Sequence, residues 1–153
     1  MSILLTKECH TMLVEKLQHM KFVEQPSASK LIDECRQIGA LDDNTEYYTA
    51  LENADRLNKK INDLVDVLNQ AIVFTESMKV DDTVGFGTTV EFINCDTDVK
   101  KKYTIVSVYD SNLDNGLISI DAPFVKEMLG LHTGDFFSFN DNDYEITNIY
   151  YSF

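Results

Sequence analysis

A chain of 153 residues with 44% hydrophobic residues, nine Phe and seven Tyr has the length for one ordinary domain or two small ones, and enough apolar content for a packed core. Its net charge of −13 is spread over both halves: eight Lys/Arg against thirteen Asp/Glu in residues 1–76, and five against thirteen in residues 77–153. Capture of a nucleic-acid backbone depends on phosphate neutralisation by Lys and Arg, so no binding of free nucleic acid is expected; the acidity either aids solubility or meets an electropositive protein surface or cavity.

The opening MSILLTKECH has too short an apolar run for a signal peptide, and no run reaches the ~18 apolar residues of a membrane span, so a cytoplasmic protein with no membrane association is expected. Cys9, Cys35 and Cys95 are odd in number, widely spaced and separate from His10, His19 and His132. Reduced core thiols are expected rather than zinc ligands or a disulfide framework.

In chain order, the first half reads as helix, interrupted over residues 7–75 only by Pro26 and Gly39. Thr6 is the expected N-cap. Leu13, Leu17, Met20 and Val23/Glu24 recur at spacings of three and four, and Ala28, Leu31/Ile32, Cys35 and Ile38 resume the pattern after Pro26. Tyr47, Leu51, Ala54, Leu57, Ile61, Leu64, Leu68 and Ala71 continue it at nearly 3.5 residues, the mark of two helices wound together. The short link at residues 38–48, IGALDDNTEYY, makes the pair antiparallel. Pro26 removes a helix hydrogen bond and predicts a kink. Residues 7–38 would form a rod of about 48 Å, at about 1.5 Å per residue, with Asp42, Asp43 and Glu46 close to its far end.

The period then changes. TTVEFIN (88–94), KKYTIVSV (101–108), GLISID (116–121), FFSF (136–139) and DYEITNIYY (143–151) read as strands, separated by turn signals. APFVKEMLG (122–130) reads as a short helix, with Pro123 in its first turn and Gly130 ending it. The fold class expected is α+β: a coiled-coil hairpin in residues 1–76, a linker at 77–83, and a small antiparallel sheet with one helix in 84–153.

This order of parts resembles the bacterial Gre family of transcription elongation factors, GreA and GreB. The family's tip pattern G-D-L-x-E-N-x-E-Y is similar to Gly39-Ala40-Leu41-Asp42-Asp43-Asn44-Thr45-Glu46-Tyr47. Gln25-Pro26 and Cys35-Arg36 stand at the family's Arg-Pro and Ala-Arg positions. In the second half, Phe86 to Val90, Tyr103 to Ser107, Ile118 to Pro123, Met128-Leu129-Gly130 through Gly134-Asp135, and Tyr144 to Tyr151 follow family motifs in order.

The resemblance implies a second domain with an FKBP-like fold that docks on RNA polymerase, with Ser119, Asp121, Ala122 and Pro123 in the docking segment. It implies a hairpin that enters the polymerase secondary channel. There, tip carboxylates of Asp43 and Asp42 would help hold a Mg2+ shared with the polymerase, and cleavage of backtracked RNA would be stimulated at the RNA 3' end; Leu41 would be a tip contact. The chain would then be an accessory factor, with no metal of its own when free, rather than an enzyme. Two departures bear on this: Ala40 replaces the family's first tip acid, and Leu51 stands where the family often has Arg. A non-cleaving regulator that occupies the channel is therefore the alternative, and a prolyl-isomerase-like domain a distant one, since the aromatic residues alternate as core residues do. Taken without the resemblance, Asp42, Asp43, Asn44 and Glu46 are ordinary helix-start residues, Leu41 a turn-packing residue, and Asp121 to Pro123 the opening of a short helix.

Overall fold

Thr6 starts the first helix as expected: its Oγ1 accepts a hydrogen bond from the Cys9 amide at 3.1 Å. In the computed structural model, which describes residues 2–38 and 44–152, α1 (Lys7–His19) runs into a π-helical turn at Met20–Glu24 and on into α2 (Gln25–Ile38). This turn is the form the expected irregularity at Pro26 takes. Proline has no N–H, and its ring crowds the carbonyl four residues back. The widened turn, in which the Gln25 N–H reaches back five residues to the Met20 carbonyl, makes room for both.

An extra residue in one turn also rotates the helix face. Leu13 is buried before it, Met20 at its start and Cys35 after it, with Ala28 and Ile32 half-buried. Val23, Leu31 and Ile38, which the spacing admits to the seam, are exposed. On α3 (Thr45–Gln70) the expected face holds: Ile61 and Leu64 are buried, and Tyr47, Leu51, Ala54, Leu57 and Leu68 half-buried, with Ala50 added to the buried set. The two helices are antiparallel, because the Gln25 amide donates to the Asn58 side chain at 2.8 Å while Asn44 bonds the Cys35 carbonyl.

Two strands lie before residue 80, where none is expected from sequence. β1 (Ile3–Leu5) and β2 (Ala71–Val73) form a two-stranded sheet, and the Phe74 N–H donates to the Leu5 carbonyl at 2.8 Å. Three residues are too few to show a period, and AIV continues the 3–4 spacing of α3, so on sequence it merges with that helix. The chain divides into two compact units, one of His10–Ala71 and one of Ser2–Cys9 with Ile72–Phe153.

The second unit contains a five-stranded sheet of order β5-β4-β3-β7-β6, formed by β3 (Thr88–Asn94), β4 (Lys100–Val106), β5 (Leu117–Ser119), β6 (Phe136–Phe139) and β7 (Asn142–Tyr151). All neighbours are antiparallel except β4 and β5, a short parallel pair that strand patterns alone do not distinguish. Between Glu91/Phe92 the register against β7 shifts, leaving Thr147 as the extra residue; its hydroxyl donates to the Glu91 carbonyl at 3.1 Å. Such a bulge bends and twists the strand. Val90, Phe92, Ile105, Ile118, Phe137 and Ile146 line the covered face, closed by Val84, Val125 and Met128.

The helix expected over 122–130 is shorter. α4 spans Pro123–Lys126, and the Gly130 amide turns away to the Val84 carbonyl at 3.0 Å. Gly130 has a φ of 82°, the left-handed conformation that ends helices. Residues 79–83 are tied in place: the Tyr151 hydroxyl bonds the Val80 amide and carbonyl, and the Thr133 amide and hydroxyl both donate to the Asp82 carboxylate.

Cys9 and Cys35 are buried free thiols, but Cys95 is exposed and is not a core residue. Burial pushes the Cys9 thiol up, which keeps it protonated, and its sulfur lies 3.8 Å from the Ser107 hydroxyl. Nearby, burial and then the Glu8 carboxylate push the Asp110 carboxyl up. A carboxyl raised in the folded state penalises the native protein in its charged form. That penalty is complete above the raised pKa and absent below the unfolded value of about 3.9. Asp110→Asn is therefore expected to raise the thermal midpoint at pH 7, with the gain vanishing as pH falls below about 4. An equal gain at both pH values in a pH-series melt would contradict this.

Candidate functional site

The expected tip residues Leu41, Asp42 and Asp43 lie outside the described residues, as do Gly39 and Ala40. What flanks them is well defined. Asn44 is buried and is the N-cap of α3: its Oδ1 accepts from the Tyr47 amide at 3.0 Å. The same side chain donates through Nδ2 to the Cys35 carbonyl of α2 at 2.5 Å. One carboxamide thus answers an orphan N–H at the start of one helix and bonds a carbonyl near the end of the other. Arg36 lies over the Tyr47 ring at 5.7 Å, and the Tyr47 and Tyr48 rings meet edge to face at 5.5 Å. The helix-start reading of Asn44 is correct, but its cross-helix bond has no signal in sequence.

The expected docking segment is a tight turn between β5 and α4. Ser119 Oγ accepts the Asp121 amide at 3.1 Å, and the Ser119 carbonyl accepts the Ala122 amide at 3.0 Å. The Ile120 amide is anchored to the Val106 carbonyl at 2.8 Å. Asp121 and Pro123 are exposed, and Ser119 and Ala122 half-buried. The structure therefore brings all four into one rigid surface turn, with Pro123 at the first position of α4.

A third feature is not expected from sequence. The aromatic residues are core residues as expected, with Phe92 buried and Tyr103, Phe124 and Tyr144 packed against the core, but with Phe139 they also wall an open cavity of about 490 Å3. Alternation gives the face of a strand on which a side chain lies, but not whether a second layer covers it.

Among the described residues no group of three His, Cys, Asp or Glu side chains is placed to hold a metal ion, and no helix is long and apolar enough to cross a membrane.

A family model described as transcription elongation factor, N-terminal, matches residues 3–73, and one described as transcription elongation factor, GreA/GreB, C-term, matches residues 79–151. The chain belongs to the GreA/GreB family of transcription elongation factors. GreA of Nautilia profundicola is 37% identical over 131 residues, covering 86% of this chain and 81% of that protein. GreA of Helicobacter pylori is 36% identical over 140 residues, covering 89% and 85%. Among solved structures, GreA factor homolog 1 of Thermus thermophilus aligns over 98% of this chain and 99% of its own at 23% identity, with a TM-score of 0.47.

Within the GreA/GreB frame, Asn44 is the residue on which the hairpin end depends. Asn44→Ala removes both bonds and is expected to destabilise the chain by about 1–3 kcal/mol. Asn44→Asp keeps the cap but cannot donate to Cys35, so it is expected to fall between. Chemical denaturation reads this directly, and equal stabilities for Asp and Ala variants would show that the cap contributes nothing.

Proposed function

We propose that this chain is an accessory factor of bacterial RNA polymerase that docks through Ser119, Asp121, Ala122 and Pro123, carries residues 39–43 into the secondary channel, and stimulates cleavage of backtracked RNA at the RNA 3' end. The observation that carries this reading is Asn44. A buried carboxamide that caps α3 and holds α2 fixes the helix directly after Asp42 and Asp43, and groups presented on rigid elements can be positioned for chemistry.

Asp43, helped by Asp42, is the chain's contribution to a Mg2+ held jointly with the polymerase. Carboxylate oxygens suit this hard cation, which accepts one or two carboxylates with phosphate and water completing its shell. When bound, the ion supplies charge stabilisation and water activation for attack on the phosphodiester. The remaining work of the chain is mechanical: the docking turn would seat the chain on the polymerase, and the capped α3 follows the two acids directly in sequence. In this reading the polymerase is the enzyme and the RNA is met only inside the complex.

Ala40 favours a second reading, in which the chain occupies the channel without promoting cleavage. Asp43→Asn separates the two. It preserves size and removes only the charge, and since Asn44 rather than Asp43 caps α3, stability should change by less than about 1 kcal/mol. Loss of a positioned charge at a reaction centre costs about 10²–10³ in rate, so cleavage on stalled polymerase should fall at least about tenfold. Ala40→Asp should raise cleavage. If the native chain gives none and Ala40→Asp creates it, the non-cleaving reading is right; if neither cleaves and Asp43→Asn leaves channel competition unchanged, the tip acids only start a helix.

The docking turn has its own test. Asp121→Arg reverses an exposed charge without touching the Ser119 bonds, and a central contact of this kind is worth about 1–3 kcal/mol of binding. Polymerase pull-down should drop accordingly with circular dichroism unchanged. Undiminished binding would move the docking surface elsewhere.

A further inference from the structure

The aromatic cavity of the second unit has no part in the proposed cleavage role. Phe124 is its hub, with ring centroids 5.3 Å from Phe92, 5.3 Å from Phe139, 5.5 Å from Tyr144 and 6.1 Å from Tyr103. The rings hold one another, so the cavity is preformed. Its volume of about 490 Å3 lies within the ~300–1,000 Å3 of small-ligand sites, which are mostly apolar with a few polar groups that fix orientation.

The polar groups lie in two sets: Asn94, Thr97, Asn140 and Asn142, of which Asn94 and Asn142 bond one another and nearby backbone, and Lys101 with two tyrosines. Lys101 is the only charged side chain in the lining and makes no ion pair with any described residue. The Tyr103 and Tyr144 hydroxyls also line the cavity, and neither has a hydrogen-bond partner among the described residues. Lys101 and Phe92 are directly paired across β4 and β3, which puts the ammonium group and the apolar floor on the same face of the sheet. A neutral apolar ligand would leave the ammonium and both hydroxyls unanswered. A cation would gain from the rings but oppose Lys101. An anion with an apolar body answers all of them, through charge-assisted hydrogen bonds at one end and ring contacts at the other.

We propose that this cavity binds a ligand carrying an aromatic or branched apolar group next to a carboxylate. The apolar group lies against Phe92, Phe124 and Phe139, and the carboxylate accepts from Lys101 and the tyrosine hydroxyls. Both a free aryl acid and the C-terminal residue of a peptide have this chemistry. The proposal does not rest on the cleavage reading, since it concerns the free protein.

The test is a protein-observed NMR titration of the full chain with 3-phenylpropanoate and its amide, and with N-acetyl-Gly-Phe as free acid and as amide. Saturable shifts should be confined to Phe92, Tyr103, Phe124, Phe139 and Tyr144. Each acid should bind about two- to fivefold more tightly than its amide, the scale of an exposed charge pair. Lys101→Gln should abolish that preference while leaving the amides unaffected, and Tyr144→Phe should weaken the acids alone. The tighter of the two acids identifies the source. Shifts scattered outside the cavity, no saturation, or equal binding of acid and amide would overturn the proposal.

Discussion

The hairpin depends on the two hydrogen bonds of one buried side chain. Two helices alone have a seam but no three-dimensional core, and a seam of spacing three and four can slide by a turn at little cost to its apolar contacts. Asn44 forbids this, because its Oδ1 is committed to the Tyr47 amide and its Nδ2 to the Cys35 carbonyl. A slipped register would leave a buried carboxamide half-satisfied, at a cost of about 1–3 kcal/mol. This is the use of buried polar groups best attested in coiled coils, where one such group sets register at some expense of stability.

The strands that precede α1 and follow α3 impose a second constraint. β1 and β2 pair, with Leu5 fully buried beside them and the Phe74 amide bonded to the Leu5 carbonyl. The chain segments entering and leaving the helical stretch are therefore in register with each other. The π turn at Met20–Glu24 takes up the defect that Pro26 introduces.

Long, strongly periodic features were legible in the sequence. The 3–4 spacing marks α3 residue by residue, and the four longer strands are within about two residues of their expected bounds because each alternates and is bracketed by turn residues. The misses have distinct causes. β1 and β2 are too short to carry a period. Val23, Leu31 and Ile38 left the seam because a π turn changes helix phase, and a backbone rearrangement next to proline has no pattern of its own. The parallel pairing of β4 and β5 depends on how the connection between them runs, through the turn at Leu113–Asn115 and the left-handed Gly116. Of the candidate site, the turn conformation of residues 119–123 was legible through Ser119 and Pro123, whose bonding preferences are local, while a docking role for it is a proposal. The cavity was not, since openness is a property of what fails to cover a face. Asp42 and Asp43 were named from a motif and lie outside the described residues, so their role rests on chemistry rather than on geometry.

That chemistry bears on why an acidic tip can be held in reserve. In the proposed reading, two carboxylates would supply too few of the ligands Mg2+ requires, so activity would be conditional on a partner that brings the remaining oxygens. The charge of −13 acts in the same direction. It disfavours phosphate backbones in solution and favours an electropositive entrance, so encounter with the partner should be steered over about a Debye length and weaken as salt rises.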